Sequence, residues 1–464
     1  MPNASGLSRG DRNRNKRLDR LRALVPMTNA VLGIDLADRK QAAALTDHDS
    51  RVLARRRAVC RAWQLGPVLD WAVEQARAAG FTSVTVACEA TGHRWQVLER
   101  LAAERGLNMV CVQSLLVWRA REGEDLTWDK SDPKDAMLIA RLTTQLRCYE
   151  PETSDGTWSR LRQLGARRRR LLTESTACGQ QLRDLLECVW PAALEAAKRP
   201  LESSSWCAAI AVVLARAGDG DLSGVRRMGQ ARFVAAVRRE LPSWGTTRWC
   251  RRIVEAVFAA TDDAVGLVAH RRGTLERAGF VTADWREVRA RRTEVETRML
   301  GVLDELELTE LVGSIAGVSV IGAAAVLAES GNPARFTTPR ALVKHAGLCP
   351  REDSSGEHRG HSRLSGRGRP ELRTAAWRAT WGAQHANPVL RARHQHLTTR
   401  EHNRLAGMQA RAACAATLLR WLHAVVVRRV PWDPDVAAGR RPQSVVVAAD
   451  TSAGAPMGTV ISAA

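Results

Sequence analysis

Lys130-Ser131-Asp132-Pro133-Lys134-Asp135-Ala136 reads as the opening of a helix. Pro133 suits a first helical turn, and Asp132 before it can cap the orphan N–H groups. Ala136, Leu138, Ile139, Ala140 and Leu142 then continue at helical spacing. Asp132 and Asp135 stand three apart, so both carboxylates lie on one side of the helix start. Two acids held that close repel unless a cation sits between them, although a helix N-terminus eases the repulsion. Taken alone, a capping box accounts for the pair. The residues upstream point further.

Val31-Leu32-Gly33-Ile34-Asp35-Leu36-Ala37 is a short apolar strand interrupted by one carboxylate. A polar turn, a strand from Ala42 to Thr46 and a third through Arg51–Cys60 complete an antiparallel meander. Leu69–Ala79 reads as a helix, and residues 82–89 as a buried strand ending on Glu89. Trp95–Arg105 is the next helix, Asn108–Gln113 a fifth strand, and a polar loop leads to the helix at Asp132. The order β-β-β-α-β-α-β-α is that of a ribonuclease-H-like α/β fold. Asp35 inside an apolar strand is costly without compensation. Glu89 ends a strand where side chains emerge at the sheet rim. Converging carboxylates of this kind hold two Mg²⁺ ions for phosphodiester chemistry.

Charge agrees with a polyanionic partner. The 464 residues hold 70 Lys+Arg against 49 Asp+Glu, a net charge of +21, which favours phosphate neutralisation and hence nucleic acid. The cysteines are scattered singly, and the pairs His358/His361 and His394/His396 have no third or fourth ligand nearby, so neither disulfides nor a structural zinc is expected. No apolar run approaches a membrane span. A soluble, cytoplasmic, nucleoid-associated protein is the expectation.

Gly33-Ile34-Asp35, Glu89-Ala90-Thr91-Gly92 and the heptapeptide at Lys130 together resemble the three acidic motifs of the DEDD transposases of the insertion-sequence one-ten family. Ser131 stands where Thr is commoner in that family. The resemblance implies a RuvC-like domain in which Asp35, Glu89, Asp132 and Asp135 form a metal-binding, catalytic tetrad for Mg²⁺.

A second resemblance to the same family covers about 311–425. Phe336–Leu342, Ala346-Gly347-Leu348-Cys349-Pro350, Ser354-Ser355-Gly356 and Gly366-Arg367-Gly368-Arg369-Pro370-Glu371-Leu372-Arg373 follow the order of its C-terminal transposase domain. It implies a serine nucleophile, for which Ser355 fits best; Ser354 is the adjacent rival, and Ser362 and Ser365 stay open. A serine hydroxyl needs a metal or base to attack phosphorus. The family further implies donor and target DNA as partners, a noncoding guide RNA, and an oligomer, dimer or tetramer.

Between these regions the pattern is helical. Leu161 to Leu185 forms an amphipathic helix with an Arg run at 167–170, read equally as a core-facing helix or a coiled-coil arm for oligomerisation. Further helices are expected over Trp206–Ala217, Gln230–Arg239, Arg248–Ala260, Asp263–Ala278 and Trp285–Leu308, and beyond the serine over Arg400–Arg428. Gly317 and Gly322, five apart between apolar helices, resemble a helix-hairpin-helix turn offering N–H groups to a phosphate, with tight packing as the alternative. Lys130, Lys134, Arg359, Arg363, Arg367 and Arg369 are candidate phosphate contacts. The expected divisions are a flexible basic arm over 1–28, the α/β domain over 29–150, a helical or coiled-coil region over 151–310, a mainly α transposase domain over 311–430 and a disordered tail over 431–464. Two other readings share parts of this pattern: a hydrolytic, structure-selective RuvC-like endonuclease, which has no use for Ser355, and a domesticated DNA-binding protein without catalysis.

Overall fold

The computed structural model describes residues 6–37, 39–59, 61, 64–125, 131–151, 155–217, 222–262, 271–351, 354–355, 358–359 and 363–440. The chain divides into two compact units, 1–153 and 154–464.

The first unit opens with α1 (Arg9–Leu24), followed by β1 (Asn29–Asp35), β2 (Lys40–Thr46), β3 (Val52–Val59), α2 (Leu65–Ala78), β4 (Ser83–Glu89), α3 (Arg94–Ala103), β5 (Asn108–Val112), α4 (Ser114–Asp125) and α5 (Asp132–Thr144). One five-stranded sheet runs in the order β3-β2-β1-β4-β5. β1, β2 and β3 pair antiparallel, while β1, β4 and β5 run parallel. β1 and β4 are buried along nearly their whole length because helices cover both faces. β3 is the exposed edge strand, and its run of arginines discourages pairing with another chain.

Alternation sorts the strands between two cores. Leu32, Ile34, Ala43, Leu45, Val84, Val86 and Cys88 face α2 and α3. Val31, Ala87, Val110 and Val112 face Leu138, Ile139 and Leu142 of α5, with Leu21, Val25 and Val117 completing that layer. Toward β2 the same face is lined by Ala42 and Ala44, which pack on Ala136. Gly33 decides how close α5 comes. A Cβ there would overlap the Ala136 carbonyl oxygen and lie 2.7 Å from the Ala140 nitrogen, so only a bare backbone lets the helix rest on β1.

Two expectations need correction here. The basic arm is not flexible over Arg9–Leu24: it is a helix with a Ser8–Asp11 capping box, anchored by buried Leu21 and Val25. The stretch read as a polar loop after β5 is α4, whose Val117 is fully buried.

The second unit is mostly helical. It contains α6 (Gly156–Val189), α7 (Ala192–Glu195), α8 (Ser204–Leu214), α9 (Ser223–Met228), α10 (Gln230–Glu240), α11 (Arg251–Ala259), α12 (Arg271–Glu305), α13 (Thr309–Gly313), α14 (Val320–Ser330), α15 (Pro339–His345), the two-residue strands β6 (Pro350–Arg351), β7 (Ser354–Ser355), β8 (His358–Arg359) and β9 (Arg363–Leu364), then α16 (Pro370–Ala386), α17 (Pro388–Thr399), α18 (Gly407–Arg428) and α19 (Pro434–Ala437). One core gathers Leu182, Leu186, Trp206, Phe233, Trp244 and Trp285. A second joins Trp158, Leu161, Met299, Leu303, Leu327, Leu372, Leu418 and Leu422. α6 and α12 contribute to both cores and pack along each other, so a division near residue 310 does not separate them. Leu161, Leu171, Leu182 and Leu186 of the α6 stripe are buried inside the chain, while Leu164, Leu172 and Leu185 are half-buried. Segments 263–278 and 285–308, expected as two helices, are one helix from Arg271 onward. α18 is the one described helix long and apolar enough to cross a membrane, and most of it is buried in the second core. Trp432 also packs on that core and Asp433 caps α19, so 431–440 is ordered; the rest of the expected tail, 441–464, lies outside the described residues.

Gly33→Ala should lower the stability of the full chain by at least about 2 kcal/mol, because the overlapped atoms belong to backbone that cannot rotate away. Urea unfolding against the wild type measures this, with the open position Gly123→Ala as the control.

Candidate active site

Asp35 and Glu89 are the last residues of β1 and β4. The parallel register pairs Gly33 with Ala87 and Ile34 with Cys88, so Asp35 and Glu89 come next, side by side at the carboxyl ends of neighbouring strands. Gly33 and Ala87 face α5, and alternation sends Asp35 and Glu89 to that same face. Open α/β sheets place their ligands at this rim, beyond the carboxyl ends of the strands. Across β2, Ala42 stands opposite Asp35 and leaves the row uncrowded.

The first turn of α5 lies over this row, since Ala136 packs on Ala42 and Ala44 and its carbonyl abuts Gly33. Ser131, not Asp132, is the N-cap, and its carbonyl accepts the Lys134 and Asp135 N–H groups at 3.0 Å each. Asp132 thus sits inside the helix with an exposed carboxylate that caps nothing. A cavity of about 260 Å³ beside it is lined by Lys40, Gln41, Ala42, Arg57, Ser131, Asp132 and Pro133.

Asp135, unlike Asp132, is buried and paired. It is 3% exposed, and the Arg121 guanidinium grips both its oxygens: Nε and Nη2 donate to Oδ1 at 2.9 and 2.6 Å, and Nη2 to Oδ2 at 2.6 Å. A more open clamp, Arg141 to Glu124 at 2.8 Å, ties α5 to α4 a second time. Among the described residues no three acidic, histidine or cysteine side chains close into a ready cation site. The donor chemistry nonetheless suits a hard divalent cation, since the four acids are all carboxylates without thiolate or imidazole. Asp35 and Glu89 end adjacent strands and Asp132 lines the cavity with Lys40, Gln41, Ala42 and Arg57, while at Asp135 a cation would meet a charge the protein already supplies.

In the second unit the predicted serine segment is a nested pair of short ladders. Pro350 and Arg351 pair with Leu364 and Arg363, and further out Ser354 pairs with Arg359 and Ser355 with His358. Ser362 lies outside the described residues; Ser365 closes the base, its N–H donating to the Cys349 carbonyl at 2.9 Å. The glycines of the two flanking motifs are explained by this base. A Cβ on Gly368, whose φ is +154°, would fall 2.6 Å from the Gly347 nitrogen, and Gly366 N–H donates to the Gly347 carbonyl at 3.1 Å.

The candidate phosphate contacts divide. Arg363 and Arg367 are exposed, whereas Arg369 is held by buried Glu329 at 2.8 Å, with Arg169 on the other carboxylate oxygen. Arg369 therefore ties α16 to α14 while staying partly exposed. Gly317 is likewise turned inward: at φ +76° it abuts α16, where a Cβ would lie 2.8 Å from Ala383 Cα. The Gly322 N–H is taken by the Ser319 hydroxyl at 3.1 Å. The turn's glycines thus serve packing and capping, the alternative to phosphate contact. Lys134 is half-buried and already engaged, Arg359 lies in β8, and Lys130 is outside the described residues. Sequence reading missed Arg121, Glu329 and the arginines of β3; for Arg121 the available signal was the run Leu115, Leu116, Val117, Ala120, apolar at helical spacing.

Comparison with known proteins gives two family matches. The IS110-type DEDD model, described as "Transposase", covers residues 32–191, and "Transposase IS116/IS110/IS902 family" covers 309–395. The four acids fall in the first match and Ser355 in the second. The "Insertion element IS110 uncharacterized 43.6 kDa protein" of Streptomyces coelicolor is 28% identical over 271 residues, 56% of this chain. The alignment spans 62% of that relative, under two thirds of its length.

Arg121→Gln should cost about 3–5 kcal/mol in metal-free buffer, because it strands a buried carboxylate. Glu124→Gln, which opens the more exposed clamp, should cost under about 1 kcal/mol. Urea unfolding of both variants distinguishes the two pairs.

Proposed function

The chain belongs to the IS110 family of DEDD transposases, and from that premise we propose that it cuts and rejoins DNA strands to move an insertion sequence. The observation that supports the reading is the placement of Asp35 and Glu89 at the ends of adjacent parallel strands, with the start of α5, which carries Asp132 and Asp135, packed on Gly33, Ala42 and Ala44. The sheet order β3-β2-β1-β4-β5, with its antiparallel meander and two parallel additions, supports a RuvC-like, ribonuclease-H-like domain.

Asp35, Glu89, Asp132 and Asp135 would hold Mg²⁺, two ions in this reading, with the metal displacing Arg121 from Asp135. When bound, that metal supplies Lewis-acid stabilisation of the attacking and leaving oxygens. The carboxylates position the scissile phosphate. Ser355 Oγ then forms a bond to phosphorus as the phosphorus–oxygen bond to the departing strand breaks, the hydroxyl proton passing to a base or water. Attack by a second strand end reverses the exchange and frees the serine. Because the phosphoserine link keeps the ester's bond energy, no external energy source is needed for rejoining. The family resemblance adds a noncoding guide RNA and a homo-oligomeric assembly, dimer or tetramer, to this reading.

Incubation of the purified protein with element-end DNA and Mg²⁺ should yield strand exchange and a protein–DNA adduct stable to denaturant. Asp35→Asn should abolish both, and Ser355→Ala should abolish the adduct. Metal-dependent cutting that survives in Ser355→Ala would show a hydrolytic nuclease instead. DNA binding with no cutting by the wild type would show a binding protein.

A further inference from the structure

β3 carries Arg55, Arg56 and Arg57 in succession, and the pleat sends them to different faces. Arg56 turns to the α2 side, donating to the Pro67 carbonyl at 3.3 Å with its guanidinium 5.7 Å from the Trp71 ring. Ala54 and Ala58, in phase with Arg56, pack on that same core. Arg55 and Arg57 therefore emerge on the opposite face. The register makes this specific: Arg57 pairs with Ala42, which pairs with Asp35, and Arg55 pairs with Ala44, which pairs with Gly33. Lys40, in phase with Ala42 and Ala44, adds a third cation at the rim. All three are exposed, and among the described residues no carboxylate pairs with them. Arg57 and Lys40 line the cavity that reaches Asp132.

One row of the sheet thus runs from acid to base: Glu89, Asp35, the small Ala42, then Arg57. Two strand spacings of about 4.8 Å put Arg57 about 10 Å from Asp35 along the row, close enough for one strand to run between them. Lys40 and the arginines offer N–H donors and positive charge suited to phosphate, contacts that carry no base sequence.

We propose that Lys40, Arg57 and Arg55 form a rail across β2 and β3 that grips the sugar–phosphate backbone of the DNA strand on one side of the phosphate held at the acids. The rail fixes the direction in which the strand crosses the sheet, which the acids alone leave open. It rests on the nuclease reading of the rim, and the test separates the two.

The double variant Arg55→Gln/Arg57→Gln in the full-length protein should bind element-end DNA at least about tenfold more weakly at 0.15 M salt. Its plot of log K against log salt should flatten by about 1.4–1.8, two phosphate contacts. Arg56→Gln, one residue away on the other face, should leave both unchanged, and Mn²⁺ binding by the double variant should match the wild type. Equal losses in Arg56→Gln and the double variant would overturn the rail, as would unchanged DNA binding, or a loss confined to an RNA oligonucleotide of the same sequence. If the wild type cuts with metal and Asp35→Asn does not, yet the double variant behaves as wild type, the rail alone fails. If the wild type shows no metal-dependent cutting and no salt-sensitive DNA binding, the nuclease reading and the rail fall together.

Discussion

Backbone lies on backbone where α5 crosses β1, and the acidic rim depends on that contact. Gly33 has no side chain, so the Ala136 carbonyl and the Ala140 amide rest directly on the strand. Ala42, Ala44 and Ala136 continue the same thin layer toward β2. A helix seated on larger side chains would stand off by several ångströms, and its first turn would no longer reach the row of Asp35. Small residues here do by subtraction what specific contacts do elsewhere.

Buried carboxylates in this protein are met by guanidinium groups. Asp135 is held by Arg121, and Glu329 by Arg169 and Arg369. A chain with 70 basic residues has arginine to spare for such work, and its planar fork suits a carboxylate better than lysine does. The first pair joins the consecutive helices α4 and α5, and the second ties α6 and the start of α16 to α14. Removing the arginines leaves a buried carboxylate without its countercharge, which is where the cost of breaking these pairs lies. The consequence for charge reading is direct: part of the positive excess is internal, and a count of arginines overstates the surface offered to phosphate.

Much of this architecture was legible in the chain. Asp35 stands out because a carboxylate interrupts a strand otherwise apolar, and Glu89 because it ends one. What was hidden has physical reasons. α1 carries so many arginines that its one described buried residue, Leu21, with Val25 at the cap, makes a weak stripe. α4 ends in charged residues and merges with the polar segment after it, so its apolar start passed for a loop. In β3 three arginines in a row look uniform, and only the pairing with β2 shows which two share the acids' face. Ser355 enters by resemblance alone; a serine in a two-residue ladder carries no signal of its own. The glycines at 317 and 322 were ambiguous in sequence because a tight turn and a phosphate cradle ask for the same residue.

The helices α6 and α12 enter both cores of the second unit, Leu182 and Trp285 in one, Leu161 and Met299 in the other. Each spans roughly 50 Å at about 1.5 Å per residue. Neither core can come apart without fraying a helix that the other needs, so the middle and C-terminal regions share one fate on heating. Modular exchange between relatives is constrained in the same way: a graft that keeps the serine segment while replacing residues 156–189 or 271–305 would carry half a core across the seam.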